Sequence, residues 1–237
     1  MLDLPDYKVR WSSRAKRLSV QTCLLDGLVV TAPKRMNPAQ VKKLLLTQKD
    51  LLVSMEKRLL QHRASPAYIS RDQLPGEIAF PSINRSWFIE YQETPSMSVR
   101  VQPAGDGGLR VTGKVSDKRL CREALHRWLR QMGKCYLEPW LKLVSEDIHL
   151  PYRSAVVRRQ RTRMGSCSSK KTISLNCKLL FLGPQLVRYL FIHELCHTVH
   201  MDHSKNFWAL VKKFEPEGKQ LSRRLRQEWA ELPLWTL

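Results

Sequence analysis

The stretch that decides the fold is PQLVRYLFIHELCHTVHMDH, residues 184–203. It holds four of the chain's seven histidines, all within its last eleven positions. Pro184 suits the first turn of a helix, where its missing N–H costs nothing. Leu186, Leu190, Phe191, Ile192 and Leu195 surround the polar residues with apolar ones, so the helix is expected to be buried. Polar side chains buried on such a helix need partners. His193 and His197 are four residues apart. That spacing puts both imidazoles on one face, one turn apart, within reach of a single ion. Glu194 follows the first histidine. In an H-E-x-x-H site this glutamate is the general base acting on metal-bound water, whose pKa Zn²⁺ lowers to about 7.

A catalytic zinc takes three protein ligands and keeps an open position. Downstream candidates for the third are His200, Asp202, His203, Glu215 and Glu228. His203 gives the spacing H-E-x-x-H-x5-H, which lets the chain leave the helix and return a ligand from another direction. Cys196 precedes His197 by one residue, points about 100° away from it, and is expected to pack. A rival reading is a basic nucleic-acid-binding protein with a structural zinc. Glu194 separates the two, because a structural site needs no base and tends to have four protein ligands.

The surroundings read as α+β. Strands are expected in RLSVQT (17–22) and LVVTA (28–32), joined by an Asp26-Gly27 turn. Asn37-Pro38 should start a helix running to about Arg63, with Val41, Leu44, Leu45, Leu51, Leu52, Met55 and Leu59 as apolar positions. RASPAY (63–68) breaks it. EIAF, SWFIEYQ, SVRVQ and LRVTG read as short strands between residues 77 and 113. A long helix capped by Ser116 follows to roughly Val144. His126, His62 and His149 read as surface or structural. SAVVRRQRTRMGSCSS (154–169) and KKTISLN (170–176) read as two strands around a Ser/Lys turn, and Ser204 caps a last helix, KNFWALVKKF. The expected division is a β-rich subdomain with one helix over 1–113, then a helical linker and catalytic core over 114–237.

RTRMGSCSSKKTISLNCKLL (161–180) and VRYLFIHELCHTVHMDHSKNFW (187–208) together resemble the YgjP-like metallopeptidase family, small zincins related to SprT-like and Spartan-like proteases. TAPKRM (31–36) and the basic helix after it are similar to that family too. Met164 departs from it, standing where the family usually carries Trp. The resemblance implies a minimal zincin core, a short sheet packed on the active-site helix. It also implies zinc at His193, His197 and His203, Glu194 as the base, and a peptide or protein substrate. Helix geometry agrees on the third ligand. His200 would sit about 4.5 Å beyond His197 along a continuing helix, and three ligands in a row surround a tetrahedral ion poorly. His200, Tyr189 and Arg163 are candidates for stabilising the oxyanion. RRQRTRMGSCS is the candidate sheet edge for a peptide added as a strand.

The chain has 41 Lys and Arg against 21 Asp and Glu, a net charge of +20. Such a field favours polyanions, acidic proteins or an anionic surface. Nine basic residues and no acidic one lie between Ile148 and His193. Arg159, Arg161 and Arg163 alternate along an expected strand and so share a face. Weak, sequence-independent binding to DNA or RNA is one expectation from this; a groove for acidic peptide is the other. The six cysteines are scattered without a C-x-x-C pair and read as reduced thiols. With no signal-peptide pattern and no apolar run of membrane length, a cytoplasmic monomer is the expected state.

Overall fold

A computed structural model describes residues 4–23, 27–63 and 73–236. Asp26 of the expected turn and most of the helix breaker after Arg63 lie outside these residues. The chain packs as two compact units, residues 1–72 and 73–237.

The first unit holds β1 (Tyr7–Ser12), β2 (Ser19–Cys23), β3 (Gly27–Pro33), α1 (Pro38–Leu46) and α2 (Lys49–Arg63). β3 is central, parallel to β1 and antiparallel to β2. Alternation along β3 puts Leu28, Val30 and Ala32 into a small core with Val41, Leu45 and Leu52 of the helices. Asn37 caps α1 reciprocally: its side chain accepts from Gln40 N at 2.8 Å, and Gln40 Oε1 accepts from Asn37 N at 3.0 Å. The single expected helix is two. α1 stops at Thr47, whose hydroxyl donates to Leu44 O at 2.8 Å, and α2 restarts at Lys49. Leu44 and Leu51, expected on the apolar stripe, are 48% and 55% exposed, because a continuous stripe does not survive the break.

The second unit opens with β4 (Glu77–Phe80), β5 (Arg85–Glu93), β6 (Val99–Ala104) and β7 (Gly108–Gly113), paired in the order β4-β5-β7-β6. α3 (Lys118–Asp147) follows. Its cap is Asp117, whose carboxylate accepts from Arg119 N and Leu120 N. Ser116, the expected cap, donates its N–H and hydroxyl to Glu93 instead. The units divide after residue 72, not after 113, and burial explains it. Ile78, Phe80 and Val111 of the four-stranded sheet share one core with Leu125, Leu129 and Ile192. Phe80 stacks on Trp128 of α3 with ring centroids 5.5 Å apart. His126 is not solvated: its Nε2 lies 2.6 Å from Trp235 O and its ring stacks on Trp235.

A three-stranded sheet then forms from β8 (Ser154–Arg158), β9 (Gly165–Cys167) and β10 (Thr172–Asn176), in the order β8-β10-β9. β9 and β10 make an antiparallel hairpin; β8 runs parallel to β10 on its other side. The first expected strand is therefore two, on opposite sides of β10, and residues 159–164 cross between them. Asn176 at the end of β10 holds this crossing. Its Nδ2 donates to Gln160 O at 2.8 Å and Arg163 O at 2.7 Å. Arg159, Arg161 and Arg163 lie in the crossing and not on a strand face. α4 (Pro184–Cys196), α5 (Lys205–Phe214) and α6 (Gly218–Ala230) complete the unit. No described helix is long and apolar enough to cross a membrane.

Candidate metal centre

α4 is buried along most of its length: Leu186, Val187, Phe191, Ile192 and Leu195 are inaccessible. That burial fixes His193 and Glu194 in its last turn. The α-helix ends at Cys196, and His197 is its C-cap residue. The chain then turns through residues 198–202. Ser204 caps α5, accepting from Phe207 N at 3.4 Å, and Asp202 Oδ1 accepts from Ser204 N at 3.3 Å. This turn carries His203 back over the end of α4.

The result brings His193, His197 and His203 together, with one ring nitrogen of each within 4.8 Å of the others. His193 Nε2 and His203 Nε2 are 3.3 Å apart. Two nitrogens on a tetrahedral zinc, each at roughly 2.0–2.1 Å, are separated by about 3.3 Å, so the pair already has the ion's spacing. His197 Nδ1 donates to His200 O at 2.9 Å, which leaves Nε2 with its lone pair for an ion. His200 thus enters through its carbonyl and not through its ring. Phe207 stacks on His197 at 4.4 Å and meets the His193 and His203 rings edge-on at 5.0 and 4.9 Å.

Burial, and then the neighbouring His197 and His203, pull the His193 pKa down to about 4. His197 is lowered too, chiefly by burial. Both rings are therefore neutral at pH 7, as ligands must be. Glu194 is 5% exposed, and burial alone pushes its pKa up to about 8. Its Oε2 is buried without a hydrogen-bond partner among the described residues. A buried carboxylate oxygen without a donor signals an absent cation or water. β9 presses on the same carboxylate: a methyl at Gly165 would sit 2.8 Å from Glu194 Oε1. The residues therefore fit a metal ion with a carboxylate beside it.

The other candidates are placed elsewhere. Glu215 pairs with Arg188 and Glu228 with Arg224. Tyr189 is 2% exposed; its ring lies against His193 with centroids 6.2 Å apart, and its buried hydroxyl makes no hydrogen bond among the described residues. Arg163 is exposed, and its backbone carbonyl is held by Asn176. Met164 packs partly buried on the core. Cys196 is inaccessible, as a packing residue should be. Sequence reasoning missed Gly165, Asn176 and Phe207. The glycine in MGSC was a signal of close backbone approach, and Phe207 sits three residues after the Ser204 cap, one turn into α5.

A family model for the YgjP-like metallopeptidase domain matches residues 16–228. The chain belongs to the YgjP-like metallopeptidase family. That match takes in β2, β3 and both helices of the first unit together with the histidine cluster, and begins after β1. Among solved structures, the chain is similar to the metallopeptidase zymogen of Pyrococcus abyssi abylysin, at 26% identity over 39% of this chain and 93% of that one, with a TM-score of 0.36. No curated protein sequence matches it.

Proposed function

We propose that this YgjP-like metallopeptidase is a zinc-dependent peptidase. In it His193, His197 and His203 hold the ion and Glu194 is the general base. The observation that carries this is the pairing of three convergent imidazoles with an unpartnered, buried Glu194 oxygen. A zinc ion bound there would act as a Lewis acid and lower the pKa of water at its open position. Positive charge beside Glu194 lowers its raised pKa, so the carboxylate can accept a proton at Oε2 and pass it to the leaving amine. His203 is exposed, which leaves that side open to substrate. The structural-zinc alternative needs a fourth protein ligand, and the cluster among the described residues has three.

β9 supports the peptide assignment. It pairs with β10 on one edge and has no strand partner on the other among the described residues. An extended peptide added to that edge would run past Glu194, held by main-chain hydrogen bonds. The test is cleavage of an unstructured protein by the purified chain. Zinc-loaded protein should cleave it, a chelator should abolish cleavage, and added zinc should restore it. Zinc-loaded protein that leaves such substrates intact would remove the reading.

A further inference from the structure

Residues 159–164 cross from β8 to β9 without regular structure. Carbonyls turned inward along such a crossing need donors, because a buried carbonyl left unpaired costs about as much as a lost hydrogen bond. One side chain meets two of them. Asn176, wholly buried at the end of β10, donates from Nδ2 to Gln160 O at 2.8 Å and to Arg163 O at 2.7 Å. Its main-chain N–H donates to Met164 O at 2.9 Å. Its Oδ1 accepts from Lys178 N at 3.1 Å, in the 3₁₀ turn Cys177–Phe181. No other side chain as short offers two donors beside an acceptor.

The residues so held run directly into β9. Gly165 pairs with Leu175 and Cys167 with Ile173. Both partners are inaccessible, so Gly165 and Cys167 share the face of β9 that turns inward. On that face a methyl at Gly165 would stand 2.8 Å from Glu194 Oε1 and 3.1 Å from its carboxyl carbon. The backbone of β9 therefore touches the carboxylate with no side chain between them. The other edge of β9 is the one to which a peptide would add. One short strand thus meets the base with its face and the peptide with its edge. Its pairing to β10 covers three residues, so the Asn176 amide anchors the end that carries Gly165. We propose that Asn176 is a positioning residue of the peptidase: its amide sets where β9 stands, and through β9 how the peptide and Glu194 meet. The inference rests on the peptidase reading and deepens it. A misplacement of about 1 Å can cost on the order of 10²-fold in rate.

Asn176→Asp tests this in the full zinc-loaded chain. It keeps the size of the side chain and the acceptor for Lys178 N, and it sets an oxygen against the two carbonyls. Zinc should stay at one per chain, because the hydrogen bonds of Asn176 reach none of the three histidines. On an unstructured protein substrate, kcat should fall roughly tenfold or more and KM should rise roughly threefold or more, since β9 serves both base and peptide. Cys167 reports on β9 without any turnover. Burial, and then Glu194, push its thiol up to about 11, so iodoacetamide should reach it slowly in the parent. Asn176→Asp should speed that labelling roughly fivefold or more, while the buried Cys121 and Cys196 stay protected. Val111→Ala removes volume from the same core at β7 and controls for lost stability. It should lower the melting temperature yet keep kcat within about threefold and Cys167 labelling within about twofold of the parent. Should Asn176→Asp not fold, Asn176→Ala, which removes both donors without adding charge, is read the same way. Unchanged Cys167 labelling overturns the proposal. So do fast labelling with parental kcat, loss of zinc from the variant, or the same changes in Val111→Ala. A parent that cleaves nothing removes the peptidase reading instead, and the labelling then decides alone whether Asn176 holds β9 over Glu194.

Discussion

His200 and His203 are three residues apart and have different work. His203 brings Nε2 within 3.3 Å of His193, while His200 lends only its carbonyl to His197. His203→Ala should therefore lose metal on dialysis, whereas His200→Ala keeps one ion per chain; metal analysis of both distinguishes them, and the reverse ranking refutes the assignment. Gly165→Ala would drive a methyl to 2.8 Å from Glu194 Oε1. A small displacement of a reacting group costs up to about 10²-fold in rate. The variant should keep its metal and lose roughly tenfold or more in kcat, and unchanged kcat would show that the carboxylate yields. Lys178 is 1% exposed, lies over the Trp229 ring, and is held by burial at a pKa of about 8 against 10.5 normally. Its folded pKa is below its unfolded one, so its contribution is fully present above pH 10.5 and is lost as pH falls through 8. Lys178→Met should accordingly stabilise by about 1–3 kcal/mol at pH 7, with the gain shrinking toward pH 10.5. A melting temperature lowered at pH 7 would contradict this. The convergence of His193 and His197 beside Glu194 was legible because all three fall in the last turn and cap of one helix at a fixed spacing. Gly165 and Phe207 were not, because they meet the site only through tertiary packing.

The turn that carries His203 back over α4 is an assembly of short elements, and its neighbours set where it stands. α3 passes so close to the three-stranded sheet that a Cβ at Gly133 would lie 2.9 Å from both Val157 Cγ1 and Cys177 Cβ. Gly→Ala inside an exposed helix gains roughly 0.5–1 kcal/mol. Here overpacking should win, and Gly133→Ala should destabilise by about 1–3 kcal/mol in denaturant unfolding. A raised midpoint would mean the helix and sheet can separate without loss. The helices were legible from apolar spacing and caps, with the break at Thr47 the exception. A propensity reading cannot see a two-residue interruption between two sound helical stretches. The strands were harder. Residues 154–169 have unbroken β character, yet the run splits because β8 and β9 occupy opposite sides of β10. That is a property of the sheet, held by the Asn176 amide, and no local pattern in the run reports it.

Across the molecule, the α+β class followed from the alternation of helical and strand patterns, but the division of the chain did not. Residues 77–113 look like a continuation of the N-terminal strands. Their buried faces belong to the second core, and pairing among cores is decided by volume and shape that a linear pattern omits. The charge was legible as a total and misplaced as a surface. The family match spans residues 16–228 and so reaches into both units. In the proposed peptidase, Glu194 moves the proton beside an ion held by three histidines. The most direct test of this is the Glu194→Gln protein, assayed for zinc content and for peptide hydrolysis in the same preparation. One zinc per chain with turnover reduced 10²-fold or more is the predicted result. Zinc-loaded Glu194→Gln that cleaves at the parent rate would contradict it.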